Sequence, residues 1–235
     1  PPRSTLFPYT TLFRSTIEAM ADEVIDYTNL IAHLPEYYNQ IHFMDILGNI
    51  AGFKFENRDI KYFIDIKEKN WAESEISNFK GSNKLIGVQF VTNKDIKRSY
   101  PKGDALIQLL LQYNPNLRFL ALGSEEYLKE NINVYDCHRK WLQFREQMAL
   151  ASYCDAFITI DSAFFHAGHN YFKKPTLLIA GLTNPALIGN HKNKFSYIQN
   201  SDLNCLNCYW TRKCNIECMQ DLKPSMIADK FLTLL

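Results

Sequence analysis

The chain has 235 residues, 46% of them hydrophobic and 22% charged, with a formal net charge of +1. That balance fits a packed globular core and excludes partners recruited by charge alone, whether a polyanion, an acidic substrate or a membrane surface. No apolar run approaches the ~20 residues that span a bilayer. No secretory signal is evident, so a cytoplasmic location is expected. Six cysteines, four of them in the last 31 residues, do not make a disulfide framework.

Residues 1–15, PPRSTLFPYTTLFRS, show neither helical nor strand period and resemble translated sequencing-adapter sequence. They are set aside as non-native. On that reading the natural chain begins upstream, and residues 16–80 are the remnant of a first domain. Within that remnant, Glu23 to Tyr27 suits a short strand and Glu36 to Ile50 a helix closed by Gly52. Lys61 to Ile64 is a short apolar run, and Glu68 to Phe79 a polar amphipathic helix. Gly81-Ser82-Asn83 marks the boundary of a second domain, 81–235.

From Lys84 onward, five-residue apolar runs alternate with helical patterns. Strands are expected at Leu85–Phe90, Leu117–Leu122, Ala156–Ile160, Thr176–Ala180 and Phe195–Ile198. Helices are expected at Lys102–Tyr113, Glu125–Asn131, Phe144–Tyr153, Ala163–Phe172 and Pro224–Leu235. This alternation means βα units and a parallel sheet, hence an α/β, Rossmann-like fold. Ligands of such sheets sit outside the carboxyl ends of the strands. The polar residues after each strand converge there: Thr92-Asn93-Lys94, Gly123-Ser124-Glu125, Asp161-Ser162 and Gly181-Leu182-Thr183. Their convergence points to a small-molecule site.

Asp161-Ser162-Ala163 stands where an apolar strand hands over to a helix. Unpaired N–H groups and the helix dipole would make that turn a phosphate cradle; an ordinary capped helix reads the same way. His166, one turn in, could reach a bound phosphate, whereas His169 suits a core or capping role. Lys94, Lys97 and Arg98 put cations in a loop before a helix, where they would stabilise a departing diphosphate or merely be solvated. Glu125 and Glu126 would accept from ribose hydroxyls or simply favour a helix N-terminus. Cys205, Cys208, Cys214 and Cys218 have the spacing C-x2-C-x5-C-x3-C, which can close a tetrahedral zinc site; thiols packed in a loop are the alternative.

Three of these segments carry a resemblance. Lys97-Arg98-Ser99-Tyr100-Pro101 resembles the K-R-W-P loop of glycosyltransferase family 9, the ADP-heptose:lipopolysaccharide heptosyltransferases. Asp155 to Pro185 is similar to that family's D-x-x-x-x-x-D-S-G-x-x-H-x-A…P…G-x-T-x-P signature. Asp155, Asp161, Ser162, His166, Ala167, Pro175, Gly181, Thr183 and Pro185 fall in register. Leu187-Ile188-Gly189 is similar to the heptosyltransferase residues just after the last proline of that signature. The cysteines followed by Met219 resemble its C-x-x-C…C…C-M tail. The resemblance covers residues 84–235. It implies the GT-B architecture of two Rossmann-like domains, N-terminally truncated here. Residues 16–80 would be the back part of the acceptor domain and its linker, and residues 81–235 the nucleotide-sugar-binding domain. Donor phosphates would contact Lys97, Arg98, Ser162, Ala163 and His166. Glu125 or Glu126 would hold ribose, and Asp161 would organise the loop. No cofactor would be needed for catalysis, and zinc would be structural. The partners implied are ADP-heptose and a lipopolysaccharide or related glycan acceptor, with no nucleic acid and at most peripheral membrane association. The general base would lie in the missing N-terminal region. Two departures stand out: Ala163 replaces the signature glycine, and Ser99 lengthens the cationic loop.

Overall fold

The computed structural model describes residues 41–92 except 51 and 53, then 96–190, 195–208 and 215–235. The segment 1–15, the expected strand Glu23 to Tyr27, the start of the expected helix at Glu36, Asn93 and Lys94, and Cys214 lie outside the described residues.

Among the described residues, two helices precede the sheet: α1 (Phe43–Ile50) and α2 (Ile66–Lys80). The second is longer than its apolar pattern because Asp65 caps it. The Asp65 carboxylate accepts from the Glu68 N–H while Glu68 accepts from the Asp65 N–H, a reciprocal box. There follow β1 (Lys84–Gln89), α3 (Gly103–Tyr113), β2 (Leu117–Ala121), β3 (Val134–Asp136), α4 (Phe144–Ala151) and β4 (Ala156–Ile160). The chain continues through α5 (Ala163–His166), β5 (Thr176–Ile179), α6 (Pro185–Ile188), β6 (Ser196–Ile198), α7 (Glu217–Gln220) and α8 (Pro224–Leu232).

All five strand pairings are parallel and the order is β3-β2-β1-β4-β5-β6. This is the α/β Rossmann-like sheet that the alternation predicts. Near-continuous apolar strands fit burial on both faces. On one face Ile86, Val88, Ile158 and Ile160 meet Leu106 and Leu110 of α3 and Ile227 and Phe231 of α8. On the other, Leu85, Leu120 and Phe157 meet Ala72 and Ile76 of α2 and Met148 of α4. Helix α2 and Ile64 therefore share one core with the sheet.

Local departures have local causes. Residues 125–131 are not helical. Gly123 turns the chain at φ 120°, Tyr127 buries its hydroxyl by donating toward the Val88 and Leu122 carbonyls, and the Lys129 N–H donates to Asp104. Tertiary anchors override helix propensity there. The expected helix at 163–172 is α-helical only to His166 and then widens into a π turn over Ala167–Tyr171. Gly168 lies in that turn against the sheet, where an added Cβ would come 2.8 Å from the Phe157 ring. Among the described residues, no helix is long and apolar enough to cross a membrane.

Candidate functional site

β1 and β4 are adjacent, yet the chain leaves β1 toward β2 on one side and leaves β4 toward β5 on the other. Loops that diverge at such a switch point open a crevice at the carboxyl edge. The loop after β1 is anchored before it reaches that crevice. The Thr92 N–H donates to Ser99 Oγ (3.1 Å), the Tyr100 N–H to the Phe90 carbonyl (2.7 Å) and the Tyr100 hydroxyl to the Leu222 carbonyl (3.2 Å). Burial pushes the Tyr100 phenol well above its usual range, so it stays a donor. Ser99 thus ties the loop back on itself. Arg98, at the end of a 3₁₀ turn (Ile96–Arg98), crosses the crevice. Its Nη1 donates to the Asp161 carbonyl oxygen at 3.0 Å and stands 3.7 Å from the Asp161 carboxylate. Arg98 thus links the loop after β1 to the Asp161 carbonyl and carboxylate after β4.

Ser162 caps α5, its Oγ accepting from the Phe165 N–H at 3.4 Å, which leaves its O–H to donate outward. Ala163 is exposed, opens the helix, and does not have positive φ. A glycine is therefore not required at that point. The permanent positive charges facing the crevice are the guanidinium groups of Arg98 and, across it, Arg58; the α5 N-terminus adds only a partial charge. His166 faces the same space. Burial, with help from the neighbouring His42, holds its imidazole down from 6.5 to about 4. Near neutral pH it is an uncharged hydrogen-bonding group.

The crevice encloses a cavity of about 360 Å³. Arg98, Asp161, His166 and Thr183 from the sheet edge face it, together with Asn170 and Asn190. The opposite wall comes from His42, Phe43 and Met44 at the start of α1 and from Arg58 and Ile60. This wall was not anticipated from sequence. Its ties are long-range: the Ile60 N–H donates to Asn170 Oδ1, Asn170 Nδ2 to the Arg58 carbonyl, and Asn190 Nδ2 to Asp59 and to Asn170. Arg58 itself pairs with Asp45 of α1 at 2.5 Å.

The remaining candidates fall elsewhere. Lys97 is half-buried and does not line the cavity. Glu126 is exposed and holds Arg139 through two contacts of 3.0 and 2.5 Å. Glu125 lies in the same extended loop, and neither carboxylate borders the cavity. Asp155, matched by the signature, lies at the opposite end of β4 and pairs with Lys80. Of the four clustered cysteines, Cys205 and Cys208 are half-buried and Cys218 is buried. Among the described residues, no three His, Cys, Asp or Glu side chains stand close enough to hold a metal ion.

No family model and no curated protein matches the sequence. Solved structures do match in fold. Heptosyltransferase II from E. coli superposes with a TM-score of 0.56 at 14% identity, covering 74% of this chain. A family 9 glycosyltransferase from Veillonella parvula gives 0.60 at 14% identity over 83%. The dodecameric, iron-containing heptosyltransferase TibC, solved with ADP-D-β-D-heptose, gives 0.53 at 12% over 84%. The matched regions span 53%, 60% and 54% of those chains. The chain thus has a Rossmann-like α/β fold similar to that of heptosyltransferases and family 9 glycosyltransferases.

Proposed function

We propose that this chain is the donor-binding part of an inverting, metal-independent glycosyltransferase of the cytoplasm. The sugar would pass from a nucleotide diphosphate, ADP-heptose by resemblance, to a lipopolysaccharide core or related glycan. The observation that carries the reading is the meeting of Arg98, Asp161 and His166 at the β1/β4 switch point, over a cavity of about 360 Å³, with Ser162 following Asp161 in the chain but not lining the cavity. Attack on the anomeric carbon breaks its bond to the diphosphate, and negative charge builds on the leaving oxygen. A guanidinium already fixed by the Asp161 carbonyl stabilises that charge without reorganising. The Ser162 O–H and the neutral His166 can add hydrogen bonds. For ribose we favour Glu125 over Glu126, whose carboxylate Arg139 already occupies. A structural metal at Cys205, Cys208, Cys214 and Cys218 is part of the same proposal, checked by metal content per chain. The base that deprotonates the acceptor is not among these residues, so the chain alone is expected to bind nucleotide without turning over ADP-heptose. Calorimetric titration with ADP tests the site. Binding that weakens in Arg98→Ala and Ser162→Ala supports it, and affinity indifferent to both changes sinks it.

A further inference from the structure

The Gly189–Asn190 peptide forms part of the cavity wall and is held from both sides by imidazoles. His42 Nε2 stands 3.0 Å from the Gly189 carbonyl oxygen, and the Asn190 N–H donates to His169 Nε2 at 3.0 Å. Each ring is fixed at its other nitrogen. The Met44 N–H donates to His42 Nδ1 at 3.2 Å, and His169 Nδ1 stands 2.8 Å from the Phe165 carbonyl oxygen. A backbone carbonyl can only accept and a backbone N–H can only donate. The geometry therefore sets both tautomers: His42 carries its proton on Nε2 and His169 on Nδ1. The result is one directional chain of hydrogen bonds from the start of α1, through the peptide, to α5, each bond polarising the next. The peptide has no slack. A Cβ on Gly189 would fall 2.1 Å from the Phe195 ring, which also packs against His169.

We infer that His42 and His169 are positioning residues for the cavity: as a pair of neutral imidazoles they clamp the Gly189–Asn190 peptide and hold the 42–60 wall against the sheet edge. A proton on His42 Nδ1 would face the Met44 N–H, and a proton on His169 Nε2 would face the Asn190 N–H. Either breaks the chain and leaves a backbone N–H without its acceptor. The charged groups around the clamp are Arg58, Arg98, Asp161 and His166 on the cavity, Asp45 on Arg58, and Asp59 on Asn190. Three of these four cavity-lining groups are cationic or basic, which disfavours a further positive charge. The clamp rests on the proposed function only for the identity of the ligand.

Nitrogen NMR of histidine-labelled protein at pH 7.5, with amide exchange, tests it. The expected result is His42 as the Nε2–H tautomer and His169 as the Nδ1–H tautomer, with the Asn190 amide protected. In His42→Ala that protection should fall by about tenfold or more, while amides of β4 such as Ile158 keep theirs. His42→Gln, which retains a donor for the Gly189 carbonyl, should restore part of it. Acidification should remove Asn190 protection over the range in which these histidine signals convert. ADP should bind His42→Ala about tenfold more weakly than the wild type. The inference is overturned if His169 is the Nε2–H tautomer. It is equally overturned if Asn190 protection is unchanged in a folded His42→Ala protein, or if ADP affinity ignores the substitution. Should His42→Ala not fold, the wild-type tautomers decide. Absence of ADP binding by the wild type would count against the proposed function alone.

Discussion

β4 carries an aspartate just beyond each end, and the two are put to different uses. At the amino edge both oxygens of the Asp155 carboxylate are engaged within the fold. Lys80 Nζ reaches both its oxygens, at 3.1 and 2.9 Å, and also the Tyr153 carbonyl, while the same carboxylate accepts from the buried Leu85 N–H at 2.8 Å. At the carboxyl edge Arg98 donates to the Asp161 carbonyl and pairs with its carboxylate at 3.7 Å, with both residues facing a cavity. Both aspartates fall in the same sequence signature, so residue type does not separate them. Position on the sheet does: the amino edge is a place for structure, and the switch point at the carboxyl edge is a place for a ligand.

The comparison breaks if the two ends respond alike. Asp155→Ala should lower unfolding free energy by about 2 kcal/mol, because the buried Leu85 N–H loses its acceptor, while loss of the part-exposed Lys80 pair adds under ~1 kcal/mol. Denaturant midpoints measure this, and ADP affinity of the folded fraction should not change. Arg98→Ala should do the reverse. A charge-assisted contact to phosphate is worth about 2 kcal/mol, or about thirtyfold in ADP affinity, with a smaller effect on the midpoint. If Asp155→Ala weakened ADP as much as Arg98→Ala does, the division of labour would be wrong.

Acid sharpens the contrast further. His166 is neutral above pH 6.5 in both folded and unfolded chains. Between 6.5 and about 4 the unfolded chain takes up the proton and the folded one resists it. Its contribution to stability is therefore complete above pH 6.5 and is lost as pH falls toward 4. Replacing it with Gln should flatten that part of the profile. A bound diphosphate favours the charged imidazole, so ADP binding near pH 5.5 should take up protons, seen as a buffer-dependent calorimetric enthalpy. The smallest effect belongs to Glu126→Gln. Its exposed pair with Arg139 is worth under ~1 kcal/mol, and ADP affinity should change less than twofold, whereas Glu125→Gln should weaken ADP about threefold.

The sheet was legible because its strands are apolar runs bounded by turn residues, and the carboxyl-edge logic pointed to the edge where Arg98, Asp161 and His166 line the cavity. Strand β3 escaped notice because three residues with only Tyr135 buried give no period. The helix expected at 125–131 failed for the opposite reason: good local propensity lost to the anchors of Tyr127 and Lys129. Half of the cavity wall was invisible in the sequence. His42 and Gly189 are 147 positions apart, and nothing in the sequence around either announces the other. His169 was read as a core or capping residue. It is buried, but its ring completes the clamp on the cavity.

We propose the β1/β4 switch point as a nucleotide-diphosphate site in which Arg98 meets the diphosphate. It is tested most directly by titrating ADP into the wild-type chain and into Arg98→Ala under identical conditions. Saturable wild-type binding, weakened about thirtyfold in the variant, is expected. No wild-type binding at millimolar ADP, or equal affinities, would contradict it.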